Sequence, residues 1–275
     1  ENPQAGSAVL QPGQWRESRS AEGTTDCLFR DILVPVSGEP ENWQALEQAL
    51  MIAGREAAKV HGLHIINQKS EDDPDQVKEL QAQFSQRSAA LGIPGSLAIE
   101  KGDVSDLVCQ RAVLTDLVVL NVAHPPGPGL SSLGSGLRSI IWRSSRPILT
   151  VPGKVSPMDR ALVAFDGSLK SKEAVFIASY LAERWKISLT LLTLSDDPNT
   201  RIQDYARDYL NLHKIEAEYL VMGGSQETFL EVIKDRDINL VLMGGYSGNA
   251  WQEIIIGSAV NYLLRSATCP LLICR

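Results

Sequence analysis

Cysteine is scarce and scattered in this chain. Its four cysteines (Cys27, Cys109, Cys269 and Cys274) form no Cys-x-x-Cys pair, and its four histidines show no metal-ligand spacing. This disfavours a disulfide-stapled secreted scaffold and a zinc site, and leaves reduced cysteines of a cytoplasmic protein as the expectation. Long apolar runs are missing too, since none approaches the roughly 18 residues that cross a bilayer. The opening ENPQAGSAVLQPGQWRESRSAEGTTD has no apolar segment of the kind a signal peptide needs. Positive charge is in the minority: 26 Lys and Arg against 33 Asp and Glu leave a net charge of −7. Nucleic acid and anionic lipid are therefore poor candidates as partners. Phosphate ligands stay open, because backbone amides at a helix start hold an anion without any net positive charge.

What is present is a globular composition, 44% hydrophobic and 21% charged over 275 residues, a length that predicts two domains. The chain also repeats itself. Asp31-Ile-Leu-Val-Pro-Val-Ser-Gly38 corresponds to Arg160-Ala-Leu-Val-Ala-Phe-Asp-Gly167 at an offset of 129. Leu117-Val-Val-Leu-Asn121 corresponds to Leu240-Val-Leu-Met-Gly244 at an offset of 123, as do Gly134-Ser135 to Gly257-Ser258 and Pro147 to Pro270. Two copies are expected, over 28–153 and 158–275, joined by a short Pro- and Gly-containing linker. Residues 1–27 read as a tail or linker, and Glu1 in place of methionine is compatible with a longer polypeptide.

In each copy short apolar runs alternate with helical periodicity, which predicts two tandem doubly wound α/β domains with parallel sheets. In the second copy Ser168 is the expected N-cap of a helix over about 169–185, with Ala174, Ile177, Ala178 and Leu181 on its inner face.

Ligands of such sheets sit beyond the carboxyl ends of the strands, where the strand order reverses. Two features lie there. Asp166 follows the first strand of the second copy, where a carboxylate can accept from ribose hydroxyls or serve as a turn residue. The segment Met243-Gly-Gly-Tyr-Ser-Gly248, leading to Gly257-Ser258, is the other. Its small residues Gly244, Gly245, Ser247 and Gly248 permit close backbone approach to a ligand, and Gly257-Ser258 is the expected start of the next helix, with amides suited to an anion. Neither a Walker A lysine nor a Gly-x-Ser-x-Gly elbow is present, and no nucleophile pairs with a base.

These residues resemble the universal stress protein (UspA-like) family over about 28–275. Nucleotide-binding members carry Gly-x2-Gly-x9-Gly-Ser/Thr after the fourth strand and an Asp after the first. This sequence reads Gly244-x2-Ser247-x9-Gly257-Ser258, with Gly248 giving an alternative register one residue short. The resemblance implies an adenine nucleotide, ATP or AMP, with Mg2+ accompanying ATP. It puts Asp166 on the nucleoside, Leu194 against the adenine, Met243 before the loop and Ala259 among the phosphate amides. In the first copy Ser37, Asn121 and His124 replace the Asp and glycines, and Pro125-Pro-Gly-Pro-Gly129 fills the loop, so that copy is expected to have lost the site.

The resemblance further implies that Ile148–Val151 and Leu271–Cys274 pair in an intramolecular pseudo-dimer, with a homodimer of chains as an additional assembly. The function expected is a stress-response or regulatory module without catalysis. Two alternatives accompany it: a nucleotide-sensing domain of a membrane transporter or channel attached upstream, and a weak ATP hydrolase. Asp196-Asp197, Glu71-Asp72-Asp73, His61, His64, Trp142 and Trp251 are expected to be structural.

Overall fold

Strands that are apolar along their whole length need cover on both faces, and the chain supplies it. A computed structural model describes residues 27–38, 40–66, 74–122, 136–245 and 253–274. The first copy contains β1 (Asp31–Pro35), α1 (Pro40–Glu56), β2 (Lys59–Ile66), α2 (Pro74–Ala90), β3 (Gly95–Lys101), α3 (Val104–Ala112), β4 (Leu117–Asn121), α4 (Gly136–Arg143) and β5 (Ile148–Val151). The second contains β6 (Arg160–Ala164), α5 (Leu169–Trp185), β7 (Ser188–Leu194), α6 (Asp204–Leu212), β8 (Ala217–Met222), α7 (Glu227–Asp235), β9 (Leu240–Gly244), α8 (Glu253–Ser266) and β10 (Leu271–Cys274). The α/β class, the two copies and the parallel pairing inside each copy agree with expectation.

Among the described residues ten strands join one sheet in the order β3-β2-β1-β4-β5-β10-β9-β6-β7-β8. The seam between copies is the antiparallel pair β5–β10, with Ile148 opposite Ile273, Leu149 opposite Leu272 and Thr150 opposite Leu271. Leu149 and Leu272 occupy the same position in the two copies, so the pairing is self-complementary about a pseudo-two-fold axis through them. Neighbouring strand residues point to opposite faces, as Ile32 and Leu33 of β1 do, and each face carries one apolar core running through both copies. Helices α1 and α5 cover one face, and α7 and α8 lie on the other.

Sequence signals at α5 are read out directly. Ser168 caps it, its Oγ accepting from the Ser171 N–H at 3.2 Å, and Ala174, Ile177, Ala178 and Leu181 are buried. The linker is anchored at its end: Ser156 and Met158 are buried, and Gln48 of α1 pairs with the Ser156 backbone in both directions, accepting from its N–H at 2.7 Å and donating to its carbonyl at 3.2 Å. One boundary differs. Helix α8 begins at Glu253, four residues before the expected start at Gly257. Nothing in Glu253-Ile-Ile-Ile256 breaks a helix, and a carboxylate suits its positive end.

The cysteines divide into two sets. Cys27 and Cys109 are partly exposed, whereas Cys269 and Cys274 are buried. Burial pushes the Cys269 thiol up to about 11 and that of Cys274 further still. A native chain at pH 8 is thus expected to react with a thiol reagent at Cys27 and Cys109 first, and at all four cysteines in urea. Peptide mass mapping reads the order, and fast native labelling of Cys274 would contradict it. Raised folded-state values mean that this contribution to stability is complete below the ordinary thiol value. It declines as pH climbs through 9 towards 11.

Candidate functional site

Strands β6 and β9 lie side by side, yet the chain leaves β6 for α5 on one face and β9 for α8 on the other. Between these exits opens a cavity of about 200 Å³ at the carboxyl ends of the strands. Its walls bring together Asp166, Leu194, Met243, Gly244, Gly245 and Ala259, all of them expected site residues. Phe165, Ser168, Lys170, Ser171, Leu192 and Phe229 also line it and were not anticipated. Phe229 comes from the apolar face of α7, Lys170 and Ser171 from the first turn of α5. Only the packing of those helices puts them there.

The turn that presents Asp166 is built locally. Gly167 adopts φ of +79°, which an L side chain rarely adopts, and Asp166 Oδ1 accepts from the Ser168 N–H at 2.9 Å. Asp166 is thus a turn residue and a cavity residue at once, its carboxylate exposed at the rim. A buried polar chain anchors the strand end beneath it. Thr193 Oγ1 donates to the Phe165 carbonyl at 2.7 Å, and Gln203 Nε2 donates to Thr193 Oγ1 at 3.1 Å and to the Leu220 carbonyl at 2.8 Å. Buried polar groups so saturated hold one geometry. The floor is apolar, with Phe165, Leu192, Phe229 and Met243 all buried.

The glycines work differently from the expectation. A Cβ on Gly244 would sit 2.6 Å from Lys170 Cβ and 3.1 Å from the Ser171 backbone nitrogen. On Gly245 it would meet the Cys274 carbonyl oxygen at 2.9 Å. Both are small so that neighbouring protein can approach, and the Gly245 N–H is already bonded to the Cys274 carbonyl at 2.7 Å. Gly257 and Ser258 lie beyond the first turn of α8, where helical amides bond to carbonyls four residues back. They do not stand at the helix start, and Ala259 enters the cavity wall from further along the helix. Ser247 and Gly248 fall outside the described residues, as do Trp251, Glu71-Asp72-Asp73, His124 and the Pro125–Gly129 loop.

In the first copy Gly38 repeats the turn with φ of +86°, but Ser37 stands where Asp166 does and Asn121 where Gly244 does. Of the other residues read as structural, His61, His64 and Asp197 take such roles, whereas Trp142 is 41% exposed. His64 Nδ1 meets the Val36 carbonyl at 2.9 Å, His61 Nε2 meets Asp31 Oδ1 at 2.7 Å, and Asp197 Oδ1 accepts from the Asn199 N–H at 2.9 Å. Among the described residues no three His, Cys, Asp or Glu gather to hold a metal. No helix among them is long and apolar enough to cross a membrane.

A doubly wound unit duplicated in tandem and joined through its last strands, with a cavity at the strand-order reversal of the second copy, defines a tandem α/β protein. Comparison narrows the class. The profile of the universal stress protein family matches residues 28–152 and 210–275. Universal stress protein Slr1230 of Synechocystis is 28% identical over 150 residues, which is 52% of each chain, so this chain spans about half the length of the curated relative it matches. Among solved structures, a universal stress protein from Archaeoglobus fulgidus superposes with a TM-score of 0.77 at 17% identity, over 90% of this chain and 97% of that one. A universal stress protein from Pseudomonas aeruginosa gives 0.67 at 15%, over 90% and 93%. At these identities the structural likeness concerns the fold. The chain belongs to the universal stress protein family.

Proposed function

We propose that the second copy binds an adenine nucleotide, AMP or ATP, and that the protein acts as a ligand-responsive regulatory module in a stress response. The observation that carries this reading is the β6–β9 cavity, whose walls unite Asp166 of the β6–α5 turn with Leu194, Met243 and Ala259 from three separate elements. Its apolar floor suits a flat base, and the Asp166 carboxylate at the rim suits a sugar hydroxyl. Binding rather than turnover fits the serines. Ser168 Oγ caps α5, and Ser171 Oγ donates to the Ser168 carbonyl at 3.0 Å, so neither hydroxyl is poised as a nucleophile. Any Mg2+ would arrive on the phosphates of ATP.

Calorimetric titration of AMP and ATP into the whole chain tests the reading. One nucleotide per chain is expected, and Asp166→Ala should weaken it about tenfold, the scale of a lost hydrogen bond to a charged group. Two equal sites, or an undiminished affinity in the variant, would contradict the assignment.

A further inference from the structure

Where the Asp166 carboxylate stands depends on one peptide plane. The Phe165 carbonyl and the Asp166 N–H share that plane, so a group that grips the carbonyl also fixes the Cα from which the carboxylate projects. Strand β7 grips Phe165 twice. Its N–H donates to the Leu192 carbonyl at 2.9 Å, and its carbonyl accepts from Thr193 Oγ1 at 2.7 Å. A threonine hydroxyl has a single proton to give, and Gln203 directs it. Gln203 Nε2 donates to Thr193 Oγ1 at 3.1 Å, which leaves the threonine proton for Phe165, and donates also to the Leu220 carbonyl of β8 at 2.8 Å. Gln203 stands at the start of α6, yet its side chain makes no cap bond there, and both Gln203 and Thr193 are buried. Its neighbour Ile202 lies against the turn itself, 3.2 Å from where a Cβ on Gly167 would stand. The same device recurs at the offset of 129: His64, in the place of Thr193, holds the carbonyl of Val36, in the place of Phe165, at 2.9 Å. The grip thus serves the turn, and in the second copy that turn presents a carboxylate where the first presents Ser37.

Resting on the nucleotide reading above, we infer that Thr193 and Gln203 are positioning residues for Asp166, and that through them the cavity prefers a sugar carrying its ribose hydroxyls. Neither is among the residues lining the cavity, and both act through the Phe165–Asp166 peptide. Without the threonine hydroxyl that plane is free to rotate and swings the carboxylate with it. A hydrogen bond weakens steeply as its angle closes below about 120°, whereas apolar contact with a base has no such direction. Sugar recognition is lost while base binding stays.

The test is calorimetric titration of AMP, and of its dideoxy analogue lacking both ribose hydroxyls, into the whole chain and into Thr193→Val, Thr193→Ser and Gln203→Ala. The parent is expected to bind AMP about tenfold more tightly than the analogue. Thr193→Val should bring AMP down to the level of the analogue while leaving the analogue unchanged, which also certifies that the variant is folded. Thr193→Ser keeps the hydroxyl and should keep the preference. Gln203→Ala should cut it to about threefold, because the threonine proton is then free to turn away from Phe165. In an Asp166→Ala chain, Thr193→Val should change neither affinity, since the pair acts through that carboxylate. A Thr193→Val chain that retains the tenfold preference, or that loses both ligands equally, overturns the inference and leaves the adenine site standing. A parent chain that binds neither ligand, or both equally, overturns the placing of Asp166 on the sugar and this inference with it.

Discussion

Glu56→Ala is expected to lower the unfolding free energy by about 3–5 kcal/mol, the cost of emptying a buried polar tie between the two copies. Glu56 ends α1, is 0% exposed, and serves donors from both copies. Its Oε2 accepts from the Tyr180 hydroxyl at 2.7 Å and the Leu28 N–H at 3.1 Å, and its Oε1 accepts from Trp185 Nε1 at 2.6 Å. Removing the carboxylate strands the Tyr180 hydroxyl and Trp185 Nε1, each costing on the order of 1–3 kcal/mol when left buried, while the Leu28 N–H keeps the Tyr180 hydroxyl oxygen as an acceptor at 3.0 Å. Trp185 ends α5 as Glu56 ends α1, so the tie joins unlike residues at equivalent places in the repeat. A symmetric pair of identical copies would set Glu against Glu or Trp against Trp there; duplication within one chain allows the two to become complementary. Arg55 reinforces the contact, stacking 5.0 Å over the Trp185 ring and donating to the Pro157 carbonyl at 2.7 Å. Burial and the Glu56 hydrogen bond hold the Tyr180 hydroxyl protonated well above its ordinary range. This contribution is therefore complete below about pH 10 and falls as pH rises beyond it. Urea titration of the parent and variant measures the effect, and a loss below about 1 kcal/mol would show that the tie is dispensable.

Gly244→Val should have the largest effect on the site, costing about 2–3 kcal/mol of stability and at least tenfold in nucleotide affinity. The new Cβ would stand 2.6 Å from Lys170 Cβ and 3.0 Å from the Lys170 carbonyl carbon. Neither is the loose end of a side chain, so relief requires α5 to move away from β9. That movement carries Lys170 and the Asp166 turn with it. Gly153→Ala is the matched control, because a Cβ there meets nothing within 4 Å and should change neither quantity. Denaturation and calorimetry on the two variants separate a local rupture from a general sensitivity to glycine loss; equal behaviour would count against the packing argument.

Much of this site could be read in advance because its chemistry follows strand ends, and strand ends follow apolar runs and turn residues. Asp166 sits directly after such a run, and Leu194 and Met243 end or nearly end two more. Lys170 and Phe229 carried no comparable signal. Lys170 belongs to a polar helix start that looks like any solvated first turn, and Phe229 to an amphipathic helix whose apolar face reads simply as core. The glycines were legible as small residues but not as to what they admit, because Cys274 lies 29 residues beyond Gly245 in sequence and becomes its neighbour through the parallel pairing of β9 and β10.

Hydrophobic periodicity and repetition determined the α/β class, the tandem copies and the cap of α5, since these depend on contacts within a few residues or on patterns repeated along the chain. Tertiary structure alone decided that Glu56 meets Trp185 and that the linker buries Ser156 and Met158. It also decided that the Gly245 amide is committed to Cys274 while Lys170 lines the cavity. Each of these is a choice among partners distant in sequence. Local propensity is indifferent to such choices, and packing a ten-stranded sheet between two helical layers settles them.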